Sequence, residues 1–245
     1  MVRDTLRRLL AAATIVVSPM NASASDEFDA KRARLVDAIA AQVQATGGET
    51  GRERLSPCVE GALRTVPRHR FVPPELGADA YRDRPLPIGL GQTISQPFIV
   101  ARMTEALLEG ETLSNVLEVG TGCGYQTAVL APLVTHLNTI ERIEPLLTRA
   151  RERLKELGIR NVRFRHGDGS LGWKAHAPFD GILVAAAPLT VPEALIKQLK
   201  VGGRLVVPIG PEGEQELVRF TRREQRVERE SLGPVAFVPL LGGTA

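Results

Sequence analysis

Alternating glycines and three carboxylates are the residues of this chain best placed to do chemistry. The run Glu118-Val-Gly120-Thr121-Gly122-Cys-Gly124 follows a short apolar stretch, Asn115 to Val119, and precedes a helical pattern. Glycines at alternate positions let a backbone turn sharply and approach a ligand closely, and a strand-to-helix turn at a sheet's carboxyl edge is where open α/β folds bind nucleotides. An adenosine-bearing cofactor is therefore expected. A dinucleotide site would need G-x-G-x-x-G, with the helix N-terminus facing a pyrophosphate. Here the spacing is G-x-G-x-G, with Glu118 two residues before the first glycine, where it would repel a phosphate. That acid suits a cationic ligand with an ammonium to pair, which S-adenosylmethionine has and NAD lacks. The alternative is a tight turn holding a buried, paired glutamate.

Glu141 stands at the end of the next strand pattern, where a carboxylate can accept both ribose hydroxyls. Beyond the third strand lies His166-Gly167-Asp168-Gly169: Asp168 can accept from an adenine amino group while Gly167 and Gly169 permit close approach. Alone, Gly-Asp-Gly reads as a turn. Three such elements at the ends of consecutive strands are far more specific than any one, and His166 is left as a structural residue. Two cysteines, Cys58 and Cys123, cannot build a disulfide framework, and no CxxC or HExxH motif supplies a metal site. No metal is expected.

These groups require a sheet to hold them. Apolar runs at Asn115–Val119, His136–Ile140, Val162–Arg165, Gly181–Ala185 and Arg204–Ile209 alternate with helical patterns at Tyr125–Leu133, Pro145–Leu157 and Pro192–Leu199. That alternation predicts a doubly wound, mostly parallel α/β sheet. Glu216–Arg222 and Arg226–Leu240 lack a helical spacer and read as an antiparallel closing pair. Upstream, Phe28, Leu35, Val36, Ile39 and Val43 recur at helical spacing between Glu27 and Gln44, and Pro57–Leu63 reads as a second helix. Pro67 to Pro97, rich in proline and glycine, reads as loop and turn, a candidate lid or substrate wall.

The 245 residues, 43% hydrophobic and 24% charged, describe an ordinary folded chain. Of the net charge of +3, Arg3, Asp4, Arg7 and Arg8 supply two units, so no nucleic-acid surface is expected on the remainder. Residues 1–24 have the layout of a secretory signal: arginines, the apolar run Leu9–Val17, then Ala22-Ser-Ala24. The run is too short for a permanent membrane anchor. The expected organisation is this segment followed by one domain, 25–245.

The chain resembles a known family. The runs Leu86-Pro-Ile-Gly-Leu-Gly-Gln-Thr-Ile-Ser-Gln-Pro97, Val116 to Ala131, Arg165-His-Gly-Asp-Gly169, Pro178-Phe-Asp-Gly-Ile-Leu-Val184 and Gly202 to Gly210 look like the bacterial type of protein-L-isoaspartate O-methyltransferase. The likeness runs from about residue 30 to 240, and Gly-Gln-Thr-Ile-Ser-Gln-Pro is its most particular motif. Cys123 stands where the family usually has serine, and Ser170-Leu171 replace a more aromatic pair.

The resemblance implies a Rossmann-like class I methyltransferase fold. It also implies methyl transfer from S-adenosylmethionine to the α-carboxylate of L-isoaspartyl residues in damaged proteins, whose esters then pass to a succinimide. Thr93 and Ser95 would orient that carboxylate; alternatively, Ser95 simply ends the loop before a helix starting at Pro97. Isoaspartyl proteins and peptides are the implied partners, while the oligomeric state is not legible. The cytoplasm is the expected compartment, since the cofactor is made there, with the periplasm as the alternative that residues 1–24 raise. Competing readings are a small-molecule methyltransferase of the same fold and a non-catalytic adenosyl-binding module.

Overall fold

The computed structural model describes residues 20–47 and 54–245. Helix α1 (Met20–Ala45) buries Leu35, Val36, Ile39 and Val43, the stripe its periodicity predicts. It begins at Met20, ahead of the expected Glu27, because its first turns carry no apolar spacing to mark them. Ala24, the end of the signal-like segment, thus lies inside α1, while the apolar run Leu9–Val17 falls outside the described residues. Helix α2 (Pro57–Thr65) has proline in its first turn and buries Val59, Ala62 and Leu63.

The stretch from Pro67 to Pro97 holds more order than its composition suggests. Two short 3-10 turns, Arg68–Phe71 and Pro74–Asp79, lead into a two-stranded hairpin of β1 (Leu86–Gly89) and β2 (Gln92–Ile94). Pro87 is tolerated because this sheet has only edge strands. At the tip, Gly89, Leu90 and Gly91 all take positive φ, at 87°, 55° and 70°. Four- and three-residue strands around such a tip leave too little alternation to be read from sequence.

Helix α3 (Pro97–Leu108) crosses to the main sheet. That sheet is built by β3 (Leu113–Val119), α4 (Tyr125–Leu130), β4 (Val134–Glu141), α5 (Glu144–Glu156) and β5 (Val162–His166), then β6 (Phe179–Val184), α6 (Glu193–Lys197) and β7 (Leu199–Ile209). β8 (Gln215–Arg222) and β9 (Val227–Val235) close it. The strand order is β5-β4-β3-β6-β7-β8-β9, parallel through β7 and antiparallel for the last two. This is the expected doubly wound sheet with its antiparallel pair. Helix α6 is shorter than the Pro192–Leu199 pattern because Leu199 already pairs with Phe179 as strand.

Alternation along the strands splits the interior into two layers. Val116, Leu183 and Val206 join the core under α1 to α4, whereas Leu117, Val119, Ile182, Val184, Leu205 and Val207 face the layer that includes Leu195 of α6. Both faces are covered, as a parallel sheet requires. Chain order reverses between β3 and β6, which opens a crevice at their carboxyl ends.

Helix α3 leads from that crevice to the opposite edge, where Arg204 of β7 fixes its end. The Arg204 side chain is 7% exposed; Nη1 donates to the carbonyls of Leu107 (2.8 Å) and Leu108 (3.0 Å), and the guanidinium pairs with Glu109 and Glu111. These are carbonyls of the helix's last turn, and Leu108 also accepts the Glu111 N–H at 2.9 Å. Arg204→Met, which keeps the apolar stem, should lower the unfolding free energy by about 2 to 4 kcal/mol, as loss of two buried charge-assisted bonds implies. Urea denaturation measures it; a change under half a kcal/mol would show that the cap is dispensable.

Candidate active site

The glycine loop sits where β3 ends at the reversal point. Gly120, Gly122 and Gly124 have φ of 93°, 54° and 90°, so each alternate position uses the left-handed region that favours glycine. Gly120 and Gly122 line the crevice with Thr121. Gly124 does not: it is the N-cap of α4, and a Cβ there would lie 3.2 Å from Ala150 and 3.3 Å from Leu154 of α5. Its role is close packing of one helix against the next.

Glu118 departs from the expectation that it meets a ligand. It is 0% exposed, lies beneath the loop and is absent from the crevice wall. Its Oε2 accepts from Thr127 Oγ1 (2.6 Å) and Thr139 Oγ1 (2.7 Å), and Thr139 Oγ1 in turn lies 2.6 Å from Thr121 Oγ1. Because Thr139 spends its one proton on the carboxylate, Thr121 must be the donor in the last bond. Oε1 is buried without a partner among the described residues. Burial drives this carboxyl up to about 7, and the two threonine bonds only partly oppose it. The alternative of a buried, paired glutamate is what the geometry shows, with one oxygen left over.

Glu141, by contrast, lines the crevice. Oε2 accepts from the Gly122 N–H at 2.8 Å and Oε1 from the Ile143 N–H at 2.9 Å. It ties the glycine loop to the end of β4, and its carboxyl group, with one bond made at each oxygen, retains acceptor capacity.

Gly169 reaches the crevice and Gly167 and Asp168 stand behind it. A Cβ on Gly169 would lie 2.3 Å from Val119 Cγ1, so only glycine fits beside the end of β3. Asp168 Oδ1 accepts from Ser170 N (2.9 Å) and Oγ (2.7 Å), an aspartate turn, while Oδ2 accepts from Gly243 N at 2.8 Å. Burial pushes Asp168 up, but these bonds and nearby Arg142 more than offset it and leave the group below its ordinary value. His166 bonds the Arg142 carbonyl at 3.0 Å, as befits a structural residue.

Thr93 and Ser95 line the opposite wall, on and just after β2. Ser95 does not cap α3: the N-cap is Gln96, without a side-chain cap bond. Among the described residues no histidine lines the crevice, and the one carboxylate that does, Glu141, is bonded to two backbone amides. Three parts of the wall escape the sequence reading. Ala185 and Ala186 follow β6 and obey the same strand-end rule as the other loops. Val238 to Leu241 carry no such signal; they are placed by Ala187, which donates to the Val238 carbonyl and accepts from the Leu240 N–H, each at 2.8 Å. Arg142 simply adjoins Glu141. Among the described residues no cluster could hold a metal ion, and no helix is long and apolar enough to cross a membrane.

The buried acid makes a pH prediction. Between its ordinary 4.5 and about 7 the folded chain holds a proton on Glu118 that the unfolded chain has lost, so stability falls as pH rises through this window. Relative to Glu118→Gln, the natural chain should lose about 2 to 3 kcal/mol from pH 5 to pH 8. Paired urea titrations measure the difference, and parallel curves for the two proteins would refute it.

Comparison with known proteins agrees with this geometry. The family model for protein-L-isoaspartate(D-aspartate) O-methyltransferase matches residues 49–245. The protein-L-isoaspartate O-methyltransferase of Halorhodospira halophila is 55% identical over 212 residues, covering 86% of this chain and 92% of that one. Protein-L-isoaspartate O-methyltransferase 2 of Syntrophobacter fumaroxidans is 51% identical, covering 90% of each. A solved protein-L-isoaspartate O-methyltransferase superimposes with a TM-score of 0.72 at 27% identity, over 86% of this chain and 66% of that one. A Plasmodium falciparum structure described as an enzyme of this type, in complex with S-adenosyl-L-homocysteine, superimposes with a TM-score of 0.65 at 25% identity, over 82% and 97%. With four-fifths of its length matched by one family model and relatives above half identity over most of the chain, the chain belongs to the protein-L-isoaspartate(D-aspartate) O-methyltransferase family.

Proposed function

We propose that this chain transfers a methyl group from S-adenosylmethionine to the free α-carboxylate of L-isoaspartyl residues in proteins and peptides. The observation that carries the reading is the pairing of two walls: the glycine loop with Glu141 on one side, and the Thr93 and Ser95 hydroxyls on the other, with no histidine, and no carboxylate but the amide-bound Glu141, between them among the described residues. A carboxylate acceptor has a pKa near 4 and arrives ionised, so it needs orientation and not deprotonation.

The crevice suits an adenosyl group with a cationic centre. Glycines 120, 122 and 169 leave room at the strand ends, Glu141 has acceptor capacity to spare, and Oε1 of Glu118, without a partner among the described residues, places a potential negative charge beneath the loop. When bound, the cofactor supplies an electrophilic methyl on a sulfonium, whose carbon–sulfur pair returns to sulfur as the new carbon–oxygen bond forms. The chain's own contribution is placement. Glu141 would hold the ribose hydroxyls, and Asp168, whose Oδ2 now takes the Gly243 amide, would meet the adenine side. Gly120, Thr121, Gly122, Gly167 and Gly169 form the surrounding backbone, with Gly124 and Glu118 acting through the packing and support of that loop. Thr93 and Ser95 would donate to the acceptor carboxylate. Holding the two reactants in line and excluding water account for the rate.

The working protein on this reading is one methyltransferase domain, 25–245. We place it in the cytoplasm, where its cofactor is made. Fractionation with mass spectrometry of the N-terminus tests this, and a mature chain starting at Ser25 in the periplasmic fraction would overturn it.

Labelled methyl should pass to an isoaspartyl peptide and not to its aspartyl twin; equal labelling of both would defeat the substrate assignment. Ser95→Ala should lower kcat/KM by about 10-fold to 150-fold, the loss of one bond to a charged group, with S-adenosylhomocysteine affinity by calorimetry unchanged. Glu141→Ala should weaken S-adenosylhomocysteine binding at least about tenfold, because it removes both a ligand contact and the anchor of Gly122. Unchanged affinity would mean that the ribose lies elsewhere.

A further inference from the structure

Helix α3 begins two residues after Ser95, and its first turn poses a conflict. The segment Ser95-Gln96-Pro97-Phe98 has the spacing at which a serine hydroxyl accepts the N–H three residues on, the commonest way for a serine to cap a helix. A hydroxyl turned back to accept that N–H keeps its proton but is held against its own helix, misdirected for an acceptor carboxylate. In this fold the Phe98 N–H goes elsewhere: it donates to Asp83 Oδ1 at 2.8 Å, across 15 residues of chain. Gln96 Nε2 donates to Asp83 Oδ2, also at 2.8 Å. Both oxygens of one carboxylate thus grip the residues immediately after Ser95, and an anion at the start of a twelve-residue helix is favoured by the helix dipole.

Asp83 is itself held in register with the cofactor half of the crevice. Arg68, 0% exposed, donates from Nε to the Ala80 carbonyl at 2.9 Å and from Nη2 to the Arg84 carbonyl at 3.3 Å, bracketing Asp83 on both sides. The same guanidinium lies 4.8 Å from the ring centroid of Tyr125, which follows the glycine loop and lines the crevice. One buried cation therefore braces the aspartate against the loop that borders the cofactor.

We propose that Asp83 is a positioning residue for methyl transfer: it caps α3 in place of Ser95 and so keeps the Ser95 hydroxyl free for the acceptor carboxylate. The inference rests on the role given to Ser95 above. Without Asp83, the Phe98 N–H is left without its acceptor, and Ser95, three residues before it, has the spacing to take it.

The test is a double-mutant cycle on Asp83 and Ser95 with two readouts. Asp83→Ala should lower kcat/KM toward an isoaspartyl peptide by about 10-fold to 100-fold while S-adenosylhomocysteine affinity stays within about twofold. Adding Ser95→Ala should cost nothing more, because the hydroxyl is already diverted. Asp83→Asn should recover most activity, since its Oδ1 still accepts from Phe98 and its amide can donate to a rotated Gln96 side chain. The second readout needs no turnover: hydrogen exchange at the Phe98 amide should stay slow in Asp83→Ala, where Ser95 takes it over, and become fast in the double variant. Additive losses in the cycle, or a Phe98 amide equally fast in both variants, would overturn the proposal. Should Asp83→Ala not fold, Asp83→Ser replaces it, and failure of both to fold assigns Asp83 to the fold alone and overturns the proposal. If the natural chain does not methylate the peptide, the functional reading fails on its own, and the exchange measurement still decides whether Asp83 spares Ser95.

Discussion

A carboxylate sealed under the glycine loop is the contact around which the crevice is organised. Glu118 leaves the end of β3 and receives hydroxyls from α4 and β4, and through Thr139 it reaches Thr121 in the loop itself. A strand, the following helix and the neighbouring strand therefore meet on one acid. Burying such a group is costly, and its raised pKa of about 7 is the measure of that cost. The expense is intelligible if the loop must keep three positive-φ glycines in one arrangement while leaving its upper surface bare. Glu141 completes the arrangement from the crevice side by accepting the Gly122 N–H. The loop is thus held from below and from one flank, and what remains open is backbone.

The acceptor wall follows a different logic. Thr93 and Ser95 come from a small hairpin and a helix entry, structures with few bonds of their own, so their position depends on neighbours. Helix α3 supplies the rigidity. At one end Arg204 takes its last carbonyls, and at the other Asp83 takes its first free amide. A helix held at both ends transmits the placement of the sheet to the wall above it. Mobility at Ser95 would lengthen the reach to a substrate oxygen, and alignment is what a reaction without a base depends on.

Asp168 shows one residue serving two needs. In the sequence it reads both as a turn and as an adenine contact, and the structure gives it the turn through Ser170 together with a bond to Gly243. The terminal segment that Asp168 anchors runs along the crevice from Val238 to Leu241 and ends with Ala245 donating to the Arg142 carbonyl at 2.7 Å. The rim of the site is consequently assembled from the far end of the chain and from the residues after β4 and β5.

How much of this was legible depends on how local each cause is. Glycines that need positive φ, strands that alternate, and acids placed at strand ends announce themselves within a few residues, so the doubly wound sheet, the loop at Gly120–Gly124 and the crevice position of Glu141 are legible in the sequence, whereas Ser95 is reached only through the family resemblance. The hairpin of β1 and β2 could not, because strands of four and three residues carry too little alternation. The burial of Glu118 is hidden for a related reason: the sequence shows an acid beside a loop, but only the tilt of the strand decides whether its side chain points into the crevice or beneath it. The contacts that finish the site join residues far apart, Asp83 with Phe98, Arg204 with Leu107, Asp168 with Gly243 across 75 positions. Local pattern determined which groups were available. Tertiary packing alone decided which of them would face a ligand and which would be consumed in holding the others still, because a hydrogen bond between distant residues leaves no periodic trace in either segment it joins.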